Sequence, residues 1–121
     1  MFDFEKLVVY QKAKAFDKLV LASICADKTM DRIIINQLKR ASLSIPLNIA
    51  EGSSRYTKAD RRHFYIIARG SAFECVAIFD ILKDRKNIPE DLYLAFYKKA
   101  EELSMMLFAM IKKISQHSLI K

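Results

Sequence analysis

Apolar residues recur along four stretches of this chain at intervals of three and four, with polar residues between them. That spacing turns one side of a 3.6-residue helix toward a core and the other toward water. The first series, Val9, Ala13, Phe16, Val20 and Ile24, is interrupted by Lys12, Lys14, Asp17 and Lys18 and predicts a helix from about Leu7 to Ile24. The polar break Asp27-Lys28-Thr29 is expected to cap the second helix. That helix carries Ile34, Leu38, Ala41, Ile45, Asn48 and Ile49 and ends at Gly52. Pro46 lies inside it, cannot donate to the carbonyl of Ser42, and is expected to bend it. Ser53-Ser54-Arg55-Tyr56 reads as a turn, after which Thr57 and Asp60 have the three-residue spacing of a capping box. The third helix is expected to bury Phe64, Ile67, Ala68, Ser71, Cys75, Ile78 and Leu82. Pro89, with Glu90 and Asp91 behind it, suits the start of a fourth, which runs on Tyr93, Phe96, Ala100, Leu103, Leu107, Met110 and Ile114.

Short breaks between long helices imply antiparallel neighbours. The expected fold is an all-α, up-down-up-down four-helix bundle forming one domain over residues 1–121. The third helix has a second apolar stripe, Ile66, Gly70, Phe73, Ala77 and Ile81. A helix in a monomeric bundle needs one apolar face, so this stripe is expected to be an interface in a symmetric homo-oligomer. The competing reading is that the surplus thickens the core of a monomer.

At 121 residues the chain suffices for one core, and no window reaches the ~18 uninterrupted apolar residues of a membrane span. The opening Met-Phe-Asp-Phe-Glu-Lys has no apolar signal core, so a cytoplasmic location without membrane attachment is expected. Cys25 and Cys75 lack metal-ligand spacing and read as buried reduced thiols. The net charge of +7 is concentrated: residues 32–69 hold eight cations against two acids, whereas the flanking segments are nearly balanced. A local excess is what a polyanion-binding face needs, although it also serves solubility.

The run Arg40-Ala41-Ser42-Leu43-Ser44-Ile45-Pro46-Leu47-Asn48-Ile49-Ala50-Glu51-Gly52 is followed by Ala68-Arg69-Gly70-Ser71 and Glu74. With the early Val9-Tyr10-Gln11-Lys12-Ala13, it resembles the four-helix-bundle family of 23S rRNA intervening-sequence proteins, named after insertions in ribosomal RNA genes. The resemblance covers nearly the whole chain. It marks Ser44, Pro46, Asn48, Glu51, Gly52, Gly70, Ser71 and Glu74 as motif positions. It implies a left-handed bundle that assembles as a ring-like homopentamer, and a related group of accessory proteins binds a reverse transcriptase and nucleic acid. The family name is no evidence that the chain sits in a ribosome.

Asn48 and Glu51 share a helix face, as do Ser71 and Glu74. As an active site, Glu51 would be a base oriented by Asn48; as structure, the pair would hydrogen-bond backbone near Pro46 or cap the turn. Folding the chain about Ser54 puts Glu51 level with Thr57 and Arg69 a dozen residues beyond. At ~1.5 Å per residue that is ~20 Å, so Glu51 and Arg69 are not expected to pair within one subunit. His63 and His117 have no partnered motif, no serine sits in a nucleophile context, and no phosphate loop or metal spacing appears. A non-enzymatic protein without cofactor or metal is therefore expected.

The candidate binding residues are Arg55, Tyr56, Lys58, Arg61, Arg62, His63 and Tyr65, with Arg69 further along. Cations for phosphate alternate there with aromatic faces on which unstacked bases of RNA or single-stranded DNA could lie. The rival is a protein-binding scaffold whose charge only keeps it dissolved; a small-molecule site between subunits is a third possibility.

Overall fold

The computed structural model describes residues 1–119, with side chains through residue 115. Four α-helices follow one another antiparallel: α1 Val8–Val20, α2 Arg32–Ser53, α3 Lys58–Asp84 and α4 Glu90–Leu119. Among the described residues there is no strand, and the arrangement is compatible with a four-helix bundle. A 3-10 turn, Asp3–Lys6, precedes α1, and a π-helical turn, Leu21–Cys25, extends it. No described helix is long and apolar enough to cross a membrane.

The helix ends follow from local chemistry, with one correction. Asp27 does not cap α2, because its carboxylate already accepts from the Thr29 amide (2.9 Å) and hydroxyl (2.6 Å) in a closed Asx turn. Asp31 is the cap, accepting from the Ile33 amide at 2.9 Å. Thr57 caps α3 through the Asp60 amide at 3.1 Å. The end of α3 is a Schellman motif: Asn87 N–H donates to Leu82 O and Lys86 N–H to Lys83 O, both at 2.9 Å. Lys86 takes the left-handed φ of 61° that this motif requires. Pro89 precedes α4, and its carbonyl accepts from the Tyr93 amide at 3.1 Å.

All five apolar positions anticipated for the first helix are buried. Phe16 of α1, Phe79 of α3 and Phe96 of α4 meet at the centre, with ring centroids 5.2–6.2 Å apart. The third helix departs from expectation. Tyr65, Ala68, Ala72, Cys75, Ile78, Phe79 and Leu82 are its buried residues, whereas Ile67 is exposed and Phe64 and Ser71 are half-buried. The anticipated series ran close beside the true one. With apolar residues on most sides of α3, periodicity alone did not fix which arc faces inward.

Gly52 is buried against α3, and a Cβ there would lie 2.8 Å from Cε1 of Tyr65 and 3.1 Å from Cβ of Phe64. The missing side chain is what lets the two helices approach. Ser44 stands opposite Ser71, their hydroxyls 2.8 Å apart, so Glu51 is level with Phe64 rather than with Thr57. The error arose from folding the chain symmetrically about Ser54, whereas the turn extends to Thr57 before α3 begins. On the other side of α2, fully buried Ser42 donates to Asp17 of α1 at 2.8 Å. α2 continues unbroken through buried Pro46.

Gly52→Ala should destabilise the fold by about 1–3 kcal/mol through displacement of the Tyr65 ring, outweighing a helix-propensity gain of about 1 kcal/mol. Urea unfolding checks this; an unchanged or raised midpoint would contradict the close-packing account. Burial pushes the Cys75 thiol up to about 12. Its contribution is fully present below an unfolded-state pKa of about 8.5 and is lost as pH rises toward the folded value, at up to ~1.4 kcal/mol per pH unit. Cys75→Ala should therefore flatten the alkaline limb of a stability–pH profile.

Candidate nucleic-acid interface

The turn joining α2 to α3 is built by its own polar side chains. Ser53 Oγ donates to Ala50 O at 2.8 Å and Ser54 Oγ to Glu51 O at 2.7 Å, occupying carbonyls left over at the end of α2. Arg61 reaches back from α3, its Nε donating to Arg55 O at 2.8 Å and its terminal nitrogen contacting Tyr56 O at 3.5 Å. Arg55 lies 4.6 Å from the Phe64 ring centroid and pairs with Glu51 at 3.4 Å. Arg55 and Arg61 therefore hold the turn together.

The other basic residues at this end are less engaged. Lys58 is half-buried at the start of α3, while Arg62 and His63 are exposed. Arg62 Nε donates to Ser115 Oγ of α4 at 2.8 Å, bringing the exposed Lys112 and Lys113 to the same end. Sequence reasoning missed these two lysines, which lie some fifty residues away in a segment of balanced charge. The usable signal was that the last turns of an antiparallel fourth helix must return beside the start of the third. Tyr56 is 98% exposed at the tip, so it does not staple the turn to the core. Tyr65 is the reverse case. It is buried against Gly52, burial pushes its hydroxyl pKa up, and it offers no face to a base.

Arg69 stands apart from this cluster. In the observed register it is five residues beyond the level of Glu51, about 7.5 Å of helix rise rather than ~20 Å. It still turns the other way, lying over Phe73 and Phe108 with its guanidinium carbon 4.7 and 5.3 Å from the ring centroids. Asn48 does not orient Glu51 either. Its Nδ2 donates to Ser44 O (2.8 Å) and Ser44 Oγ (2.9 Å), making a half-buried polar cluster with Ser71. Glu74 and Gly70 are exposed, and a Cβ on Gly70 would meet nothing within 4 Å. Ile66, Phe73, Ala77 and Ile81 are exposed with it, so this stripe of α3 does not enter the chain's own core. Cys25 and Cys75 are free and buried. No group of three or more His, Cys, Asp or Glu side chains among the described residues is placed to hold a metal ion. The side chain of His117 lies outside the described residues.

Comparison with known proteins then places this architecture. The sequence matches the profile of the 23S rRNA-intervening sequence protein over residues 5–109. The chain belongs to that family. A crystal structure of a protein of unknown function from the S23 ribosomal protein family of Bacteroides thetaiotaomicron is similar in fold, with a TM-score of 0.75. The two are 22% identical over 87% of this chain and 96% of the other. A search of curated proteins found no match. In this member of the 23S rRNA-intervening sequence family, basic residues of α3 and α4 gather at one end of the fold.

Arg61→Ala should lower stability by about 1–2 kcal/mol, because two turn carbonyls lose a charged donor. Tyr56→Ala should stay within about 0.5 kcal/mol of the parent, as surface substitutions do. Denaturant midpoints measured side by side check both; equal effects would remove the distinction between turn-building and free residues.

Proposed function

We propose that this protein is a non-enzymatic, self-associating helical bundle, left-handed and pentameric as its family resemblance implies, that presents its basic end to RNA or single-stranded DNA in the cytoplasm. The observation that carries the reading is the apolar surface left on α3 once its own core is closed. Phe73 is 54% exposed, and Ile66 and Ile81 are exposed in line with it. Leu43 and Leu47 extend the apolar surface on α2, and Leu94, Tyr97 and Phe108 extend it on α4. Isolated exposed apolar residues are ordinary, but this many on three neighbouring helices point to an interface. Self-association would multiply the cluster of Lys58, Arg62, His63, Lys112 and Lys113, with Tyr56 projecting among them as a stacking platform.

A second reading, a protein-binding scaffold that binds no nucleic acid, is favoured by one observation: Arg55 and Arg61 are spent on the turn. A partner that itself processes nucleic acid, such as a reverse transcriptase, would satisfy the apolar band and the basic end together. Two measurements separate these readings. Phe73→Glu should reduce the particle mass in light scattering while retaining helical circular dichroism. Binding to a single-stranded RNA or DNA homopolymer should weaken with salt, the logarithmic slope being about −0.7 per phosphate neutralised. Combined Tyr56, Lys58 and Arg62→Ala should flatten that slope with the assembly intact; no binding at low salt would leave the scaffold reading.

A further inference from the structure

Arg69 is a half-buried cation with no acid partner among the described residues. Its guanidinium is clamped against Phe73 and Phe108, two rings that are themselves about half exposed, and its Nε is buried without a hydrogen-bond partner. No carboxylate among the described residues lies within ion-pair distance of it. Glu74, exposed on the same helix, likewise has no cation within ion-pair distance. Five residues at 3.6 per turn separate these two side chains by about 140° around α3, so they cannot meet each other within one chain. Arg69 lies on the flank toward α4, where Phe108 is, and Glu74 on the flank toward α2, beside Ser71 and its partner Ser44. Between them runs the apolar stripe centred on Gly70, whose bare backbone leaves room for close approach.

We infer that Arg69 of one copy pairs with Glu74 of the next, and that this intersubunit ion pair fixes the direction in which copies pack. The inference rests on the self-association proposed above and names its register. Two copies related by a dyad with α3 antiparallel would bring like flanks together, setting one Arg69 flank against the other. Copies packed side by side in the same direction bring opposite flanks together, so Arg69 faces the Glu74 flank, and a stagger or tilt between copies with the reach of the arginine side chain spans the ~7.5 Å of helix rise between the two levels. The two flanks also differ in shape. Toward α4 there is a cleft of about 270 Å³ lined by Phe73, Val76, Tyr97 and Ala100, with Glu101 and Ser104 also in its wall. Toward α2, Leu43 and Leu47 stand exposed at nearly the same level, available to fill the cleft of a neighbour. Of the two acids on the α2 flank, Glu51 is already paired with Arg55, whereas Glu74 has no cation within ion-pair distance. A heterologous contact of this kind generates a ring when its rotation closes.

The test is a double-mutant cycle on the full chain, with self-association measured by sedimentation velocity across a dilution series. Arg69→Gln and Glu74→Gln should each raise the dissociation concentration by about tenfold, and the double variant should be no weaker than either single. The exchanged pair, Arg69→Glu with Glu74→Arg, should recover association that each reversal alone abolishes. Circular dichroism and thermal melting of every variant separate folding from association, and Glu74→Gln, altering an exposed side chain, leaves the fold intact. Additive effects of the two Gln variants, with Phe73→Glu still dissociating the assembly, would overturn the pairing while leaving self-association in place. A wild-type chain that stays monomeric at every concentration would overturn both.

Discussion

Tyr65 can lie against α2 only because Gly52 carries no side chain there. That close approach sets Ser44 opposite Ser71 and Glu51 level with Phe64, and the other positions along α3 follow. Arg61 reaches the carbonyls of the turn, Arg55 finds the Phe64 ring, and Arg62 and Arg69 fall beside Ser115 and Phe108 of α4. A shift of one residue would rotate α3 by about 100° and carry much of its core arc toward the surface. The tolerance is small because interiors are packed at crystal-like density and the nearest atoms are those of a buried aromatic ring.

α3 is the wall shared by the bundle. It packs extensively on both α2 and α4, whereas α1 and α4 meet only thinly. A helix with neighbours on both flanks needs apolar residues over a wide arc, and α3 has them, yet a further stripe remains beyond that arc. Those residues contribute nothing to the chain's own core and carry the liability of exposed apolar surface. Gly70 is of the same kind: a glycine inside a helix, with open space around it, costs about 1 kcal/mol relative to alanine and returns no packing within the subunit. Stripe and glycine are explained together if another surface lies against them.

The two halves of the proposed function therefore have different physical sources. Self-association draws on apolar area and on the unpaired charges of Arg69 and Glu74 along the length of α3. Polyanion binding draws on one end, where cations from the start of α3 and the last turns of α4 converge. Not every cation at that end is available, since Arg55 and Arg61 are fastened to carbonyls, a carboxylate and a ring. An electrostatic surface is set by the charges left after folding has used its share, and here that remainder draws on two distant segments.

The four helices were legible because Val9, Ala13, Phe16, Val20 and Ile24, and likewise Phe96, Ala100, Leu103 and Leu107, follow a helical period that burial alone explains. Thr57 as a cap and the break before Pro89 were legible for the same reason: the chemistry is local. The cap at Asp31, the π-helical turn at Leu21–Cys25 and the inward arc of α3 were not. Each depends on which of several chemically similar neighbours wins a contact formed elsewhere in the molecule. Of the candidate site, sequence identified the clustered Arg55, Tyr56, Lys58, Arg61, Arg62 and His63, because consecutive residues at a turn stay together whatever the packing. Only the tertiary structure decided that Tyr65 is buried, that Arg61 is bound to the turn, that Lys112 and Lys113 join the cluster, and that Arg69 belongs to another face. Composition and spacing determine which residues a helix can present; the register between helices, set by side-chain volume at points such as Gly52, determines what each of them meets.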